Sequence, residues 1–95
     1  MSFLERIFGR GEAARRRAAI VLGIETGAFE ECPVCREVID CQREDRMALA
    51  TGLAEEWVRR GDPRVEVFRG DVSALRRTLR AVERRLDVAC TCEGR

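Results

Sequence analysis

The chain of 95 residues contains no histidine, lysine, tyrosine or asparagine. Without histidine it has no imidazole base to activate a serine or cysteine nucleophile, and no mixed Cys/His metal site. The sequence also has no glycine-rich phosphate loop and no convincing pair of carboxylates for acid–base chemistry. These absences argue against hydrolysis and group transfer, so we expect a non-catalytic protein.

Long apolar runs are also absent. No stretch approaches the ~20 apolar residues that a membrane span needs. Arginines at 15–17 followed by apolar residues 18–24 resemble a secretory signal. However, the run is short, Glu25 ends it, and no clear small-residue cleavage site follows. We therefore expect a cytoplasmic protein.

The charges nearly cancel. The chain has 18 basic and 17 acidic residues, and the net charge of +1 gives no overall attraction to nucleic acid or lipid. The length fits one domain, and a domain this small buries a modest core that a metal or cross-link would help to stabilise.

Five cysteines are the most informative residues present. Cys32, Cys35 and Cys41 lie within ten residues of one another, and Cys90 and Cys92 follow much later in the sequence. An odd number of cysteines in a reducing compartment argues against a closed disulfide framework. The remaining interpretations are a metal site, a redox pair or small buried residues.

The first half of the chain has two predicted helical segments. Residues 2–10 form a short amphipathic segment that Gly9 and Gly11 end. We interpret this segment either as a terminal helix packed on the body or frayed, or as a docking element for a membrane surface or a partner. Residues 12–28 then form a longer helix.

Two further helices are predicted in the second half. One runs over residues 41–60, with Asp40 as its N-cap and with Gly61 and Pro63 ending it. Residues 61–70 are expected to be an extended linker that packs Val65 or Phe68 onto the core. The last helix begins at Asp71 or Ser73 and has apolar residues at spacings of three and four. These residues are Val72, Leu75, Leu79, Val82 and Leu86.

These elements predict an all-α fold, a small three-helix bundle with an antiparallel helical hairpin and a cysteine cluster at one end. The domain organisation is an amphipathic segment over residues 1–11 and one helical metal-binding domain over 12–95. Nineteen residue steps separate Cys41 from Arg60, and also Asp71 from Cys90, so each arm of the hairpin is about 28 Å long. Antiparallel packing therefore brings Cys41 and Cys90 to the same end, next to the other cysteines.

Two sets of four thiolates follow from this arrangement. Cys32, Cys35, Cys90 and Cys92 use both close pairs and form the favoured set. Alternatively Cys41 replaces one of these, as in a site of Cys32, Cys35, Cys41 and Cys90 that uses a helix N-terminus to favour the Cys41 thiolate. Four soft ligands suit structural Zn²⁺, with an iron–sulfur cluster or Cu(I) as alternatives.

Cys32-Pro-Val-Cys35 resembles one knuckle of a zinc ribbon, over these four residues only. Arg36 stands where a ribbon often has glycine, the second half is Cys-x-Cys, and no flanking hairpin is evident. The resemblance implies a ligand arrangement and no family. The same four residues resemble a glutaredoxin-type active-site pair, but the βαβ context of those enzymes is missing.

Three functions remain open. The first is an interaction or regulatory module with a structural zinc, whose partner is another protein. The second is an iron–sulfur or thiol-redox protein that uses the same cysteines. The third is nucleic-acid binding through the arginine-rich last helix, but its arginines spread around the polar faces and base-stacking aromatics are scarce, so nucleic acid is the disfavoured partner.

Overall fold

The computed structural model describes residues 3–90 and 92, and for residues 3–10 it describes the backbone alone. The chain forms helix α1 (Phe3–Thr26), strands β1 (Phe29–Glu31) and β2 (Val38–Asp40), helix α2 (Glu44–Arg60), a 3-10 helix (Pro63–Phe68) and helix α3 (Val72–Arg85). Within this part of the chain, none of the helices is both long and apolar enough to traverse a bilayer.

The two strands make the all-α prediction wrong. They pair antiparallel as a small hairpin, with Phe29 opposite Asp40 and Glu31 opposite Val38. Each strand is only three residues long, which is too short to show the alternation of apolar and polar residues by which a strand is recognised in a sequence. The fold is therefore mainly helical, with a two-stranded sheet between α1 and α2.

Helix α1 is continuous through Gly9 and Gly11, where the sequence predicted a break. A single glycine in a helix costs only about 1 kcal/mol relative to alanine, which neighbouring helix-forming residues can offset. The helix ends at Thr26, next to Gly27, whose φ of 83° is left-handed. The amphipathic role of residues 2–10 concerns side chains outside the described part of the chain and stays a prediction.

Helix α2 begins three residues later than expected, because Asp40 belongs to β2. The Asp40 carboxylate accepts a hydrogen bond from the Gln42 backbone N–H at 2.9 Å and so caps the turn that leaves the strand. Cys41 consequently lies between the hairpin and the helix. The predicted end is confirmed, since Gly61 adopts a left-handed conformation after Arg60.

The connection between α2 and α3 is a 3-10 helix and not the extended linker that the sequence suggested. Its Val65 and Phe68 are both buried, so the predicted packing of this segment onto the core is confirmed. Helix α3 starts where expected, because the Asp71 carboxylate accepts a hydrogen bond from the Ala74 N–H at 3.0 Å. It ends at Arg85, and the remaining residues as far as Cys90 form an irregular tail.

One core joins the helices to the hairpin. Its largest fully buried side chains are Trp57, Phe29, Phe68, Leu22, Met47, Leu75 and Leu79. Phe29 comes from β1 and its ring lies directly on Gly23 of α1, so closely that a Cβ added at Gly23 would overlap the ring. The absence of a side chain at Gly23 therefore sets how closely the hairpin packs against α1.

We expect Gly23→Ala to destabilise the protein by about 1–3 kcal/mol, since the Phe29 ring would have to leave its packed position. Gly52→Ala in α2 is the matched control, because an added Cβ there meets no described atom within 4 Å. The control should be neutral or up to about 1 kcal/mol more stable, because alanine is the better helix former. Urea unfolding followed by circular dichroism measures both variants. If Gly23→Ala and Gly52→Ala have the same free energy of unfolding, the close packing of Phe29 on Gly23 is contradicted.

Candidate metal centre

The first cysteine pair lies in the loop that joins β1 to β2. The backbone N–H of Cys32 donates to the Glu37 carbonyl at 2.8 Å, and the N–H of Arg36 donates to the Cys32 carbonyl at 2.9 Å. Arg36 adopts a φ of 68°, the left-handed conformation that glycine would take without strain. Cys32-Pro-Val-Cys35 is thus a knuckle on a β-hairpin, and the expectation that no hairpin flanks it was wrong.

The second pair arrives on the tail that follows α3. The Asp87 carbonyl accepts a hydrogen bond from the backbone N–H of Asp40 at 2.9 Å. Beyond this bond, Val88 and Ala89 are exposed and Cys90 and Cys92 turn toward the knuckle. Among the described residues, one backbone hydrogen bond joins the tail to the hairpin, and the cysteine sulfurs form the second contact between them.

Four sulfur atoms meet at this junction. The Sγ atoms of Cys32, Cys35, Cys90 and Cys92 all lie within 4.8 Å of one another. Cys32 Sγ is 3.5 Å from both Cys90 Sγ and Cys92 Sγ, and the latter two are 3.2 Å apart. A tetrahedral ion with Zn–S bonds of about 2.3 Å separates its ligand sulfurs by roughly 3.8 Å. The four cysteines are placed to bind one metal ion.

The environment of the sulfurs favours unequal ionisation. Backbone N–H groups of Cys35 and then Val34 stabilise the Cys32 thiolate and lower its pKa to about 6. Hydrogen bonding to Cys92 and Cys32 raises the pKa of Cys90 to about 12, because only the protonated Cys90 thiol can donate to the neighbouring sulfurs. The pKa of Cys35 is raised as well, with burial among the causes. Without metal, the cluster therefore holds both thiolate and thiol at neutral pH.

Cys41 lies outside the group of four. Its backbone N–H donates to the Ala28 carbonyl at 3.1 Å, at the opposite end of the hairpin from the knuckle. Four residue steps along the strand separate Ala28 from Cys32, or about 13 Å. Burial, together with Glu30 and Asp40, raises the pKa of the Cys41 thiol. The structure thus brings together one of the two sets that the sequence left open and leaves Cys41 apart from it.

Sequence reasoning missed the backbone groups that shape the centre. The Glu37 and Asp87 carbonyls fix the knuckle and the tail, and neither depends on the identity of its own side chain. The Glu37 carboxylate also accepts a hydrogen bond from Cys35 Sγ at 3.8 Å.

We expect Cys92→Ser to lose metal affinity by more than the ~10–100-fold that removal of a supporting hydrogen bond costs at a metal site. Cys41→Ser should bind metal with wild-type affinity. Competition between the protein and a chromophoric chelator for Zn²⁺ measures both affinities. If Cys41→Ser weakens binding as much as Cys92→Ser does, the set of four sulfurs is not the ligand set.

Metal affinity should rise steeply with pH. In the metal-free protein Cys35 and Cys90 hold protons at pH 7, because both pKa values are raised above the ordinary value of 9.0. Binding must displace at least these two protons, so the logarithm of the Zn²⁺ affinity should increase by at least two per pH unit between about pH 6.5 and 8. Below about pH 6 the Cys32 proton adds to the slope. The same chelator competition across this range tests the slope, and a slope near zero would mean that thiols are not the ligands.

No family description matches this chain, and no curated protein or solved structure is significantly similar to it. Its four-cysteine cluster, assembled from a hairpin loop and a distant tail, is the feature that bears on function.

Proposed function

We propose that the protein is a small non-catalytic interaction or regulatory module whose fold is held at one end by a structural Zn²⁺ bound to Cys32, Cys35, Cys90 and Cys92. The observation that carries this proposal is the convergence of four sulfurs within 4.8 Å from segments 58 residues apart. Isolated cysteines buried as small apolar residues have no reason to meet in this way.

The spacing of the sulfurs favours a single ion over an iron–sulfur cluster. In a cluster the four cysteines are divided over two or four iron atoms, and the cluster's own sulfides lie between the irons, so the four ligand sulfurs are spread further apart. Here the sulfurs of Cys32, Cys90 and Cys92 are 3.2–3.5 Å apart, and all four lie within 4.8 Å, as around one ion. Among single ions, Zn²⁺ is favoured because closed sites of four cysteines in small domains are usually structural zinc.

The metal has a clear structural task in this chain. Cys32 and Cys35 belong to the hairpin that packs on α1, whereas Cys90 and Cys92 belong to a tail that has left α3. An ion bound to all four joins the beginning and the end of the domain. In zinc peptides such binding supplies an apparent folding free energy of about 10–16 kcal/mol, which is large beside the usual stability of a domain of this size.

Four protein ligands also leave no open position for water or substrate, which is the arrangement of structural rather than catalytic zinc. Nucleic-acid binding is not favoured, because two of the five arginines of α3 pair with acidic residues and base-stacking aromatic residues are scarce. Arg76 pairs with Glu55, and Arg80 contacts both Glu44 and Glu83 at 3.1 Å.

A thiol-redox role is the second candidate, and the lowered pKa of Cys32 favours it. A thiol with a pKa of about 6 is largely ionised at neutral pH, and Cys90 and Cys92 lie 3.5 Å from it. In a metal-free protein, an oxidant that removes two electrons would join two of these sulfurs in a disulfide. The same low pKa is what a zinc ligand requires, so metal content separates the two candidates.

Untagged protein purified without oxygen should be colourless and contain one zinc per chain by elemental analysis. Removing the zinc with a chelator should reduce the helical circular dichroism and lower the melting temperature, and adding Zn²⁺ back should restore both. A visible absorption band would support iron, and metal-free protein with full helicity and an unchanged melting temperature would overturn the structural zinc.

A further inference from the structure

Helix α1 is apolar on more sides than the fold covers. Its inner face carries Ala18, Ala19 and Leu22, which are buried in the core. Its outer face carries Val21 and Ile24, which are 40% and 37% exposed. On α3, by contrast, the exposed residues are all polar, namely Ser73, Arg77, Arg84 and Arg85. The outer face of α1 therefore lacks a cover.

The charges that border this apolar face are arranged symmetrically about Val21. Arg17 lies four residues before Val21 and Glu25 four residues after it, which is about 6 Å along the helix in each direction. At 100° per residue they also fall on opposite sides of Val21, at equal angles from it. Arg17 has no acidic partner among the described residues, and Glu25 pairs with Arg64 across an exposed contact of 2.9 Å.

We propose that this face of α1 binds a second copy of the chain, with the two α1 helices antiparallel about a two-fold axis at Val21. In this arrangement Val21 meets Val21 of the second copy, and Ile24 packs beside that contact. Arg17 of each copy comes alongside Glu25 of the other, because residues equally far from the axis meet in an antiparallel pair. A parallel pair would instead place Arg17 beside Arg17, which repels.

This surface lies on α1 and not at the cysteine cluster, so the proposed dimer goes beyond the zinc proposal and does not depend on it. Both are tested on the same full-length protein, purified untagged and without adding or removing metal. A monomer that contains one zinc per chain would overturn the dimer alone, and a dimer without zinc would overturn the zinc alone.

Sedimentation equilibrium over a concentration series up to ~1 mM should show a species at twice the chain mass of 10.8 kDa. Val21→Glu, Arg17→Glu and Glu25→Arg should each raise the dimer dissociation constant at least about tenfold, by burying a charge or by placing like charges together. The double variant Arg17→Glu/Glu25→Arg should recover dimerisation, because it restores opposite charges with their positions exchanged.

Leu49→Glu is the matched control, since Leu49 is 51% exposed on α2, away from this face. It should dimerise as the wild type does, and circular dichroism with zinc content shows whether each variant remains folded. A monomer at every concentration overturns the proposal. A dimer that Val21→Glu leaves intact, or one that the double charge exchange fails to recover while both single variants are folded, overturns the assigned surface.

Discussion

The junction between the cysteine knuckle and the C-terminal tail is the constraint on which the rest of the molecule depends. Only one backbone hydrogen bond, from Asp40 to Asp87, holds the described part of the tail to the hairpin. A single such bond contributes about 1 kcal/mol, which is less than the conformational entropy lost by ordering the residues from 87 to 90. In the proposed function, an ion bound to the four sulfurs supplies the remaining free energy, and metal coordination has the required size.

The hairpin transmits that constraint to the helices. Phe29 opens β1 and is buried against Gly23 of α1, and three residues after Phe29 the chain reaches Cys32. A change in the position of the hairpin would therefore move both the Phe29 ring and the Cys32 sulfur. Arg36 in its left-handed conformation adds about 1–2 kcal/mol of local cost to the knuckle, which an ion bound to the adjacent thiolates would offset. The core and the cluster thus stabilise each other through a strand of three residues.

Most of the helical structure could be predicted from the sequence, because the apolar periodicity of a helix extends over many residues. The apolar spacing of α3, its Asp71 cap and the end of α2 at Gly61 were all correctly located by local chemistry. The hairpin was missed because a strand of three residues is too short to show a periodic pattern. Pairing with the other strand stabilises it, and that contact is not visible in the local sequence. The continuity of α1 was missed because two glycines suggested a break, whereas their cost is small against the propensity of the surrounding turns. The prediction of an extended linker was wrong because the Asp62 carboxylate caps the first turn of a 3-10 helix there. The alternation of apolar and polar residues in this segment suggested an extended chain and gave no sign of the cap.

The meeting of the cysteines was predicted by an argument whose details were partly wrong. The sequence placed Cys41 in the first turn of a long helix, opposite Cys90 in the last turn of another. In the structure neither residue is helical, since α2 begins at Glu44 and α3 ends at Arg85. The antiparallel direction of α2 and α3 is still enough to bring the cysteine pairs together, because α3 returns the chain to the side of the molecule where the hairpin lies. The tail passes Asp40, at the Cys41 end of the hairpin, where the Asp87 carbonyl accepts its backbone hydrogen bond. It then continues to the knuckle, about 13 Å away, where Cys90 and Cys92 meet Cys32 and Cys35. The path of the tail along the hairpin therefore decides which sulfurs meet, and Cys41 stays outside the group of four.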